Sequence, residues 1–284
     1  MENNFVLTAD IGGTHITSAI VNIKTWQILE ESISRSHVNA RSDAKSIFSS
    51  WKDCLNSSLA NVQQPIATLG IAMPGPFNYE AGISLMQNQD KYDALYKINV
   101  LEELKKTLDL PIAIRFINDA AAFLQGEIFA GDLTLKGKVL GITLGTGLGS
   151  AVWEKGNKAY DANLWNSPYK DGIFEEYLVT RWLTTRFFAL TGIQENGFKE
   201  ILAKHQGKPS FDQLLSEYAS SLYDFLLFFS EQQQCRIFVL GGSISKAWEI
   251  ISSYNKEKFK DFEIFIGQYA EQAAMIGAAS LFKP

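Results

Sequence analysis

Two stretches of this chain follow one layout. VLTADIGGTHITSAIV, from Val6, and VLGITLGTGLGSAVW, from Val139, each run apolar strand, small-residue turn, apolar strand. Aligned at those valines with one deletion, Ser18-Ala19 falls opposite Ser150-Ala151. Short apolar runs around glycine turns read as hairpins. Chance matching of apolar strands would leave two unrelated hairpins. A duplication would give two similar domains, each presenting a glycine turn to a shared cleft.

The pattern between the repeats supports the second reading. FVLTADI, ITSAIVNI and QILEESI read as strands. Residues 42–61 place Ile47, Trp51, Leu55 and Leu59 on one helical face, with Ser42 and Asp43 as candidate caps. IATLGIAM reads as a buried strand that breaks at Pro74-Gly75-Pro76, and residues 99–109 as a helix leading through Leu110-Pro111 to the strand IAIRFI. Asn118-Asp119 and an Ala-rich helix follow, after which strand, turn and strand restart. Helical stretches, CRIFVL, the turn Gly241-Gly242-Ser243, FEIFIG and a last helix complete the chain. Strands alternating with helices in both halves indicate an α/β class. The expected domains are 1–118 completed by 268–284, and 119–267.

At 46% hydrophobic residues the 284-residue chain can bury a sizeable core, enough for about two domains. A formal net charge of −5 with no basic block argues against a nucleic-acid surface. No apolar run approaches the roughly 18 residues of a membrane span, and MENNFVLTAD lacks the pattern of a signal peptide. Cys54 and Cys235 are far apart and only three histidines occur, so no zinc cluster is expected. These features together imply a cytoplasmic protein without membrane or nucleic-acid partners.

Glycine turns let the backbone approach another group, and successive N–H groups in such a turn form an anion cavity. A plain Gly-Gly hairpin without a ligand is the competing reading. GTGLGS is not a dinucleotide fingerprint, because strand rather than helix follows it, and no P-loop motif is present. Asp10, at a strand end beside such amides, suits Mg²⁺ held directly or through water, which offsets the charge of phosphoryl transfer. Asp119 stands where a strand gives way to a helix. It could cap that helix, or accept a proton from a substrate hydroxyl while Asn118 orients the same ring.

Asp10-Ile11-Gly12-Gly13-Thr14, Met73-Pro74-Gly75-Pro76, Asn118-Asp119-Ala120, Leu144-Gly145-Thr146-Gly147-Leu148-Gly149 and Gly241-Gly242-Ser243 together resemble the ordered motifs of ROK sugar kinases. EQAAMIGAASLF resembles the ending of that family. The resemblance implies a two-domain actin-like ATPase (ribonuclease H-like) fold, with a cleft between duplicated domains. It further implies an ATP-dependent, glucokinase-type hexose kinase acting on the 6-hydroxyl with Mg²⁺, and a homodimer. Gly12, Gly13, Thr14, Gly145, Thr146 and Gly147 would hold the ATP phosphates, and Gly241 and Gly242 the adenosine. Asp10 would belong to the metal site. Gly75, Asn88, Asn118, Asp119 and Glu175 would face the sugar, with Asp119 as catalytic base.

The chain departs from the family pattern at two places. His15 stands where members often carry Lys, and residues 153–172 pass to Gly172-Ile173-Phe174-Glu175-Glu176-Tyr177 without the histidine or the zinc cysteines. Glu175 could equally be a first-turn acid favoured by the helix dipole. The lost zinc loop motivates a second expectation, a catalytically weak sugar-binding protein. A third, a sugar-responsive transcription regulator, would need a helix-turn-helix domain for which residues before the first strand leave no room.

Overall fold

The structure, a computed structural model, describes residues 4–60, 62–108 and 112–283. The first three residues of MENNFVLTAD, Asn61 and the expected helix end and linker at Asp109, Leu110 and Pro111 lie outside them. The chain divides into two units. Unit 1 comprises residues 1–135, 156–160 and 271–284, and unit 2 residues 136–155 and 161–270.

In unit 1, β1 (Phe5–Ile11) and β2 (His15–Asn22) form an antiparallel hairpin. β3 (Gln27–Ile28) and β4 (Ser34–His37) pair with β2 on its far side. β5 (Thr68–Met73) runs parallel to β1. A small hairpin, β6 (Phe77–Asn78) and β7 (Ile83–Ser84), precedes β8 (Ala113–Asn118), which runs parallel to β5. The main sheet has the order β3–β2–β1–β5–β8. QILEESI yields only the two residues of β3. A 3₁₀ turn over Glu30–Ser32 replaces the rest, buried Ser32 bonding backbone on both sides.

Helix α1 (Ala44–Ala60) begins where Asp43 Oδ1 accepts the Ser46 N–H at 3.0 Å, so Asp43 rather than Ser42 caps it. Its Ile47, Trp51 and Leu55 lie in the unit 1 core, beside α2 (Val100–Leu108), and Leu59 packs against that core half-buried. α3 (Asp119–Ala130) starts directly at the end of β8.

Unit 2 repeats this plan. β9 (Lys138–Leu144) and β10 (Leu148–Glu154) make the antiparallel hairpin. After β11 (Tyr160–Asp161) comes the small hairpin of β12 (Pro168–Tyr169) and β13 (Gly172–Ile173). Four helices follow: α4 (Phe174–Leu178), α5 (Thr180–Thr191), α6 (Phe198–His205) and α7 (Pro209–Gln233). Then β14 (Ile237–Gly241) runs parallel to β9, and β15 (Glu263–Ile266) parallel to β14, with α8 (Trp248–Ser253) and α9 (Lys256–Phe259) between them. The sheet order is β11–β10–β9–β14–β15. In both units an antiparallel hairpin is therefore extended by two parallel strands on the side of its first strand. α7 opens on Pro209, whose missing N–H costs nothing at a helix start, and buries Phe211, Leu215, Leu222, Phe225 and Phe229 in its core.

The final helix, α10 (Glu271–Ala279), returns to unit 1 and packs on α3, β5 and β1. Glycines set this approach. A Cβ on Gly126 would lie 1.9 Å from the Ala273 carbonyl oxygen, and one on Gly277 1.9 Å from that of Ala122. On β5, a Cβ at Gly70 would meet the Ala278 oxygen at 2.3 Å. Because α3 packs this closely on α10, the division between units falls after α3, at 135/136, rather than at 118/119.

Candidate active site

The end of β1 and the start of α3 bring two carboxylates together inside unit 1. β1 and β8 lie either side of β5, with Asp10 opposite Ala72 and Met73 opposite Asn118. Parallel strands so aligned deliver Asp10 and Asp119 to one end of the sheet. The Asp10 carboxyl is raised from 3.8 to about 7, first by burial and then by the charges of Asp119 and Glu271, with Arg35 opposing. Arg35 Nη1 is itself bonded to Glu271 Oε2, tying β4 to the start of α10 beside this pair.

Asp119 does not cap α3. The cap is Asn118, whose Oδ1 accepts the Ala121 N–H at 3.1 Å, while its Nδ2 donates to Tyr79 Oη at 3.2 Å. Tyr79 Oη donates in turn to the Met73 carbonyl at 3.0 Å, and would stand 3.4 Å from a Cβ on Gly75. Asn118 is thus locked by the cap and by Tyr79. The Asp119 carboxylate, which accepts the Ala120 N–H at 2.8 Å, stays open to a partner on the exposed side. Burial pushes its pKa up; the Ala120 N–H, the Lys91 charge and Asn118 oppose that. Asn88 is exposed, with left-handed backbone at φ 58°, in the loop that carries Lys91.

The first glycine turn lies immediately after Asp10. Gly12, Gly13 and Thr14 are exposed. The Gly12 N–H donates to the His15 carbonyl at 2.9 Å, and buried Tyr92 Oη donates to the Gly12 carbonyl at 2.6 Å. Burial pushes the Tyr92 phenol up, which keeps it a donor. A Cβ at Gly13 would touch nothing within 4 Å, and one at Gly12 only the His15 oxygen at 3.5 Å. Neither residue has positive φ. Packing therefore does not ask for glycine here. His15 Nδ1 pairs with Thr14 Oγ1 at 2.9 Å and its ring meets His37 edge-on.

Unit 2 carries the second turn and the Gly241-Gly242-Ser243 turn side by side. Gly145 N–H donates to the Gly147 carbonyl at 3.2 Å, and the Gly145 carbonyl accepts from Thr180 N–H and Oγ1 at 2.8 and 3.0 Å. Thr146 and Gly147 are exposed. Glu175, in the first turn of α4, accepts the Leu148 N–H with Oε2 at 3.0 Å, so it braces this turn. Neighbouring Glu176 accepts the Ile173 N–H at the helix start. Gly242 differs from the turn glycines: at φ +86°, its Cβ would lie 2.2 Å from the Leu144 oxygen. Ile244 N–H donates to that same oxygen at 3.1 Å. Gly242→Ala is expected to cost unit 2 about 2 kcal/mol, read as a lowered denaturant midpoint with unchanged slope.

Arg35, Tyr79, Lys91, Tyr92 and Glu271 were not reached from sequence. Only one local signal existed for any of them, the run of polar residues around Lys91; the rest meet through pairings distant in the chain.

The raised Asp10 carboxyl implies a pH dependence. An acid whose folded pKa exceeds its unfolded value binds more protons when native, so ligand-free stability falls as pH rises from about 4 to about 7. Asp10→Asn is expected to flatten that slope and raise ligand-free stability near pH 8 by about 1–2 kcal/mol, less than the full shift because solvent reaches the carboxyl. Denaturant melts across that range measure it.

Comparison with known proteins places this geometry. The chain has the fold of ROK sugar kinase structures, an actin-like ATPase fold. A ROK family glucokinase from Streptomyces griseus in complex with glucose and AMPPNP superposes with TM-score 0.74 at 20% identity, covering 98% of each chain. A ROK family transcriptional regulator, a homologue of the E. coli MLC protein, gives 0.80 at 16% identity, over 98% of this chain and 77% of that one. The ROK family pattern matches residues 6–160, and the chain belongs to that family. Glucokinase of Thermotoga maritima is 24% identical over 76% of this chain and 78% of its own length. An N-acetyl-D-glucosamine kinase of Mannheimia succiniciproducens is 27% identical over 50% of this chain, a match that spans only 44% of that protein.

Proposed function

We propose that this chain is an ATP-dependent sugar kinase that transfers the γ-phosphoryl group to the 6-hydroxyl of a hexose, in the manner of glucokinase. The observation that carries this reading is the pair Asp10 and Asp119, set at one end of one sheet beside a glycine turn that packing does not require. A pure binding site has no need of two carboxylates that repel each other. A site that takes a metal–polyphosphate and deprotonates a hydroxyl needs both.

Asp119 takes the hydroxyl proton, and Asn118, fixed through its cap and Tyr79, orients the acceptor ring with Gly75 and Asn88. Gly12, Gly13 and Thr14 offer amides to phosphate oxygens, as do Gly145, Thr146 and Gly147, and Gly241 and Gly242 lie against the adenosine. Glu175 contacts the sugar in this scheme while bracing Leu148. Asp10 suits Mg²⁺: its carboxyl is crowded by negative charge that a divalent cation relieves, directly or through water. Bound Mg²⁺ supplies charge compensation for the transferring phosphoryl group. Among the described residues no group of three His, Cys, Asp or Glu could hold a metal ion, so water and phosphate would complete the shell.

A coupled assay of ADP release over a hexose panel with Mg·ATP tests the proposal. Turnover on at least one hexose is expected. Sugar binding by calorimetry without turnover on any hexose overturns it in favour of a sugar-binding or regulatory member, a reading that the likeness to the transcriptional regulator keeps open.

A further inference from the structure

Lys91 stands apart from its loop. Asn88, Gln89, Asp90, Asp93 and Ala94 are exposed around it, while Lys91 is half-buried. The loop is pinned on both sides of it. Arg41 Nε donates to the Asp90 carbonyl at 3.3 Å and its Nη2 meets Asp90 Oδ2 at 3.4 Å. Tyr92 N–H donates to the Ala40 carbonyl at 2.7 Å, and Tyr92 Oη reaches Gly12 in the first glycine turn. Left-handed backbone at Asn88, Asp90 and Tyr92 turns the chain at every second residue. The Tyr92 Oη bond sets this stretch of the loop against the turn that follows Asp10, and the Lys91 charge acts on Asp119. Among the described residues Lys91 makes no hydrogen bond and no ion pair. Arg35, the other cation acting on the pair, is committed to Glu271.

We propose that Lys91 is a catalytic residue, its ammonium meeting the phosphoryl group as it passes to the acceptor oxygen held at Asp119. The inference rests on the kinase reading above and adds to it the cation of the acceptor side. In the transfer, the acceptor oxygen forms its bond to the γ-phosphorus as the bond to the β,γ-bridging oxygen breaks. The electron pair leaves with ADP, and the hydroxyl proton goes to Asp119. The oxygens of the migrating group keep their negative charge throughout, next to a site whose two carboxylates repel it. In this proposal an ammonium whose charge already acts on Asp119 meets the group that Asp119's substrate receives. An open hydrogen-bonding capacity, half shielded from water, suits a partner that arrives only during turnover.

Steady-state kinetics of Lys91→Met and Lys91→Arg in the full chain, alongside thermal melts, test this. Lys91→Met is expected to lower kcat by about 10²-fold, with the KM for the hexose within about threefold and the melting temperature unchanged. Lys91→Arg, which keeps the charge, is expected to recover kcat to within about tenfold of the parent. Three results would overturn the proposal: parental kcat in Lys91→Met, a raised hexose KM with kcat intact, or a lost melting transition. The first gives Lys91 no role, the second a role in substrate binding, the third a structural one. A parent without turnover on any hexose overturns the kinase reading and this one together; an active parent with an unaffected variant overturns this one alone.

Discussion

Asp119→Asn is expected to reduce kcat by about 10³-fold while leaving sugar affinity within about threefold. The substitution is nearly isosteric and keeps an oxygen to accept the Ala120 N–H. Asn118, which carries the cap through Ala121, is untouched, so α3 should start where it does now. What disappears is the ability to take a proton. Burial raises this carboxyl, with the Ala120 N–H and the Lys91 charge opposing, and a raised carboxyl is the stronger base once ionised. The measurement is kcat from ADP release together with calorimetric sugar binding. Parental kcat in this variant would remove Asp119 from the chemistry, whatever the fate of the fold.

The second large effect concerns stability. Gly126→Val is expected to destabilise unit 1 by about 4 kcal/mol or more, enough to lower the melting temperature by roughly 8–16 °C. Its Cβ would sit 1.9 Å from the Ala273 carbonyl oxygen, an overlap with backbone that no rotamer relieves. Two helices must then separate, and Ala122, Ala273 and Ala278, all buried, lose their contacts. Gly277→Val meets the Ala122 oxygen at the same distance and should behave alike. The two changes act on one crossing, so the double variant should cost much less than the sum. Additive losses would mean that α3 and α10 do not share that contact. Melting curves of the two single variants and the double one decide it.

Much of the architecture was legible because the relevant signals are local. FVLTADI coincides with β1, the run VLGITL from Val139 lies within β9, and the hairpins follow from the glycines between apolar runs. The single face of Ile47, Trp51 and Leu55 gave α1 its extent within two residues at the start. Where local pattern failed, a distant partner had intervened. QILEESI has a strand's composition, yet Ser32 turns it by bonding Ile20 and Leu29. Asp119 looked like a cap because Asp favours that position, but Asn118 one residue earlier has the extended backbone that a cap needs. The helical stretch after the second glycine turn breaks into α4 and α5, since Val179 is extended between them.

The sequence by itself determined that this is an α/β chain built on a repeat, with paired glycine turns and carboxylates at strand ends. Those properties follow from periodicity and residue chemistry along a few neighbouring positions. Only the tertiary structure decided that Asp10 and Asp119 crowd each other, that Arg35 answers Glu271 and that the Lys91 charge acts on Asp119. Each depends on parallel strands and a returning helix that join residues far apart in the chain. Charge acts through space over several ångströms, while a sequence pattern records only order along the backbone.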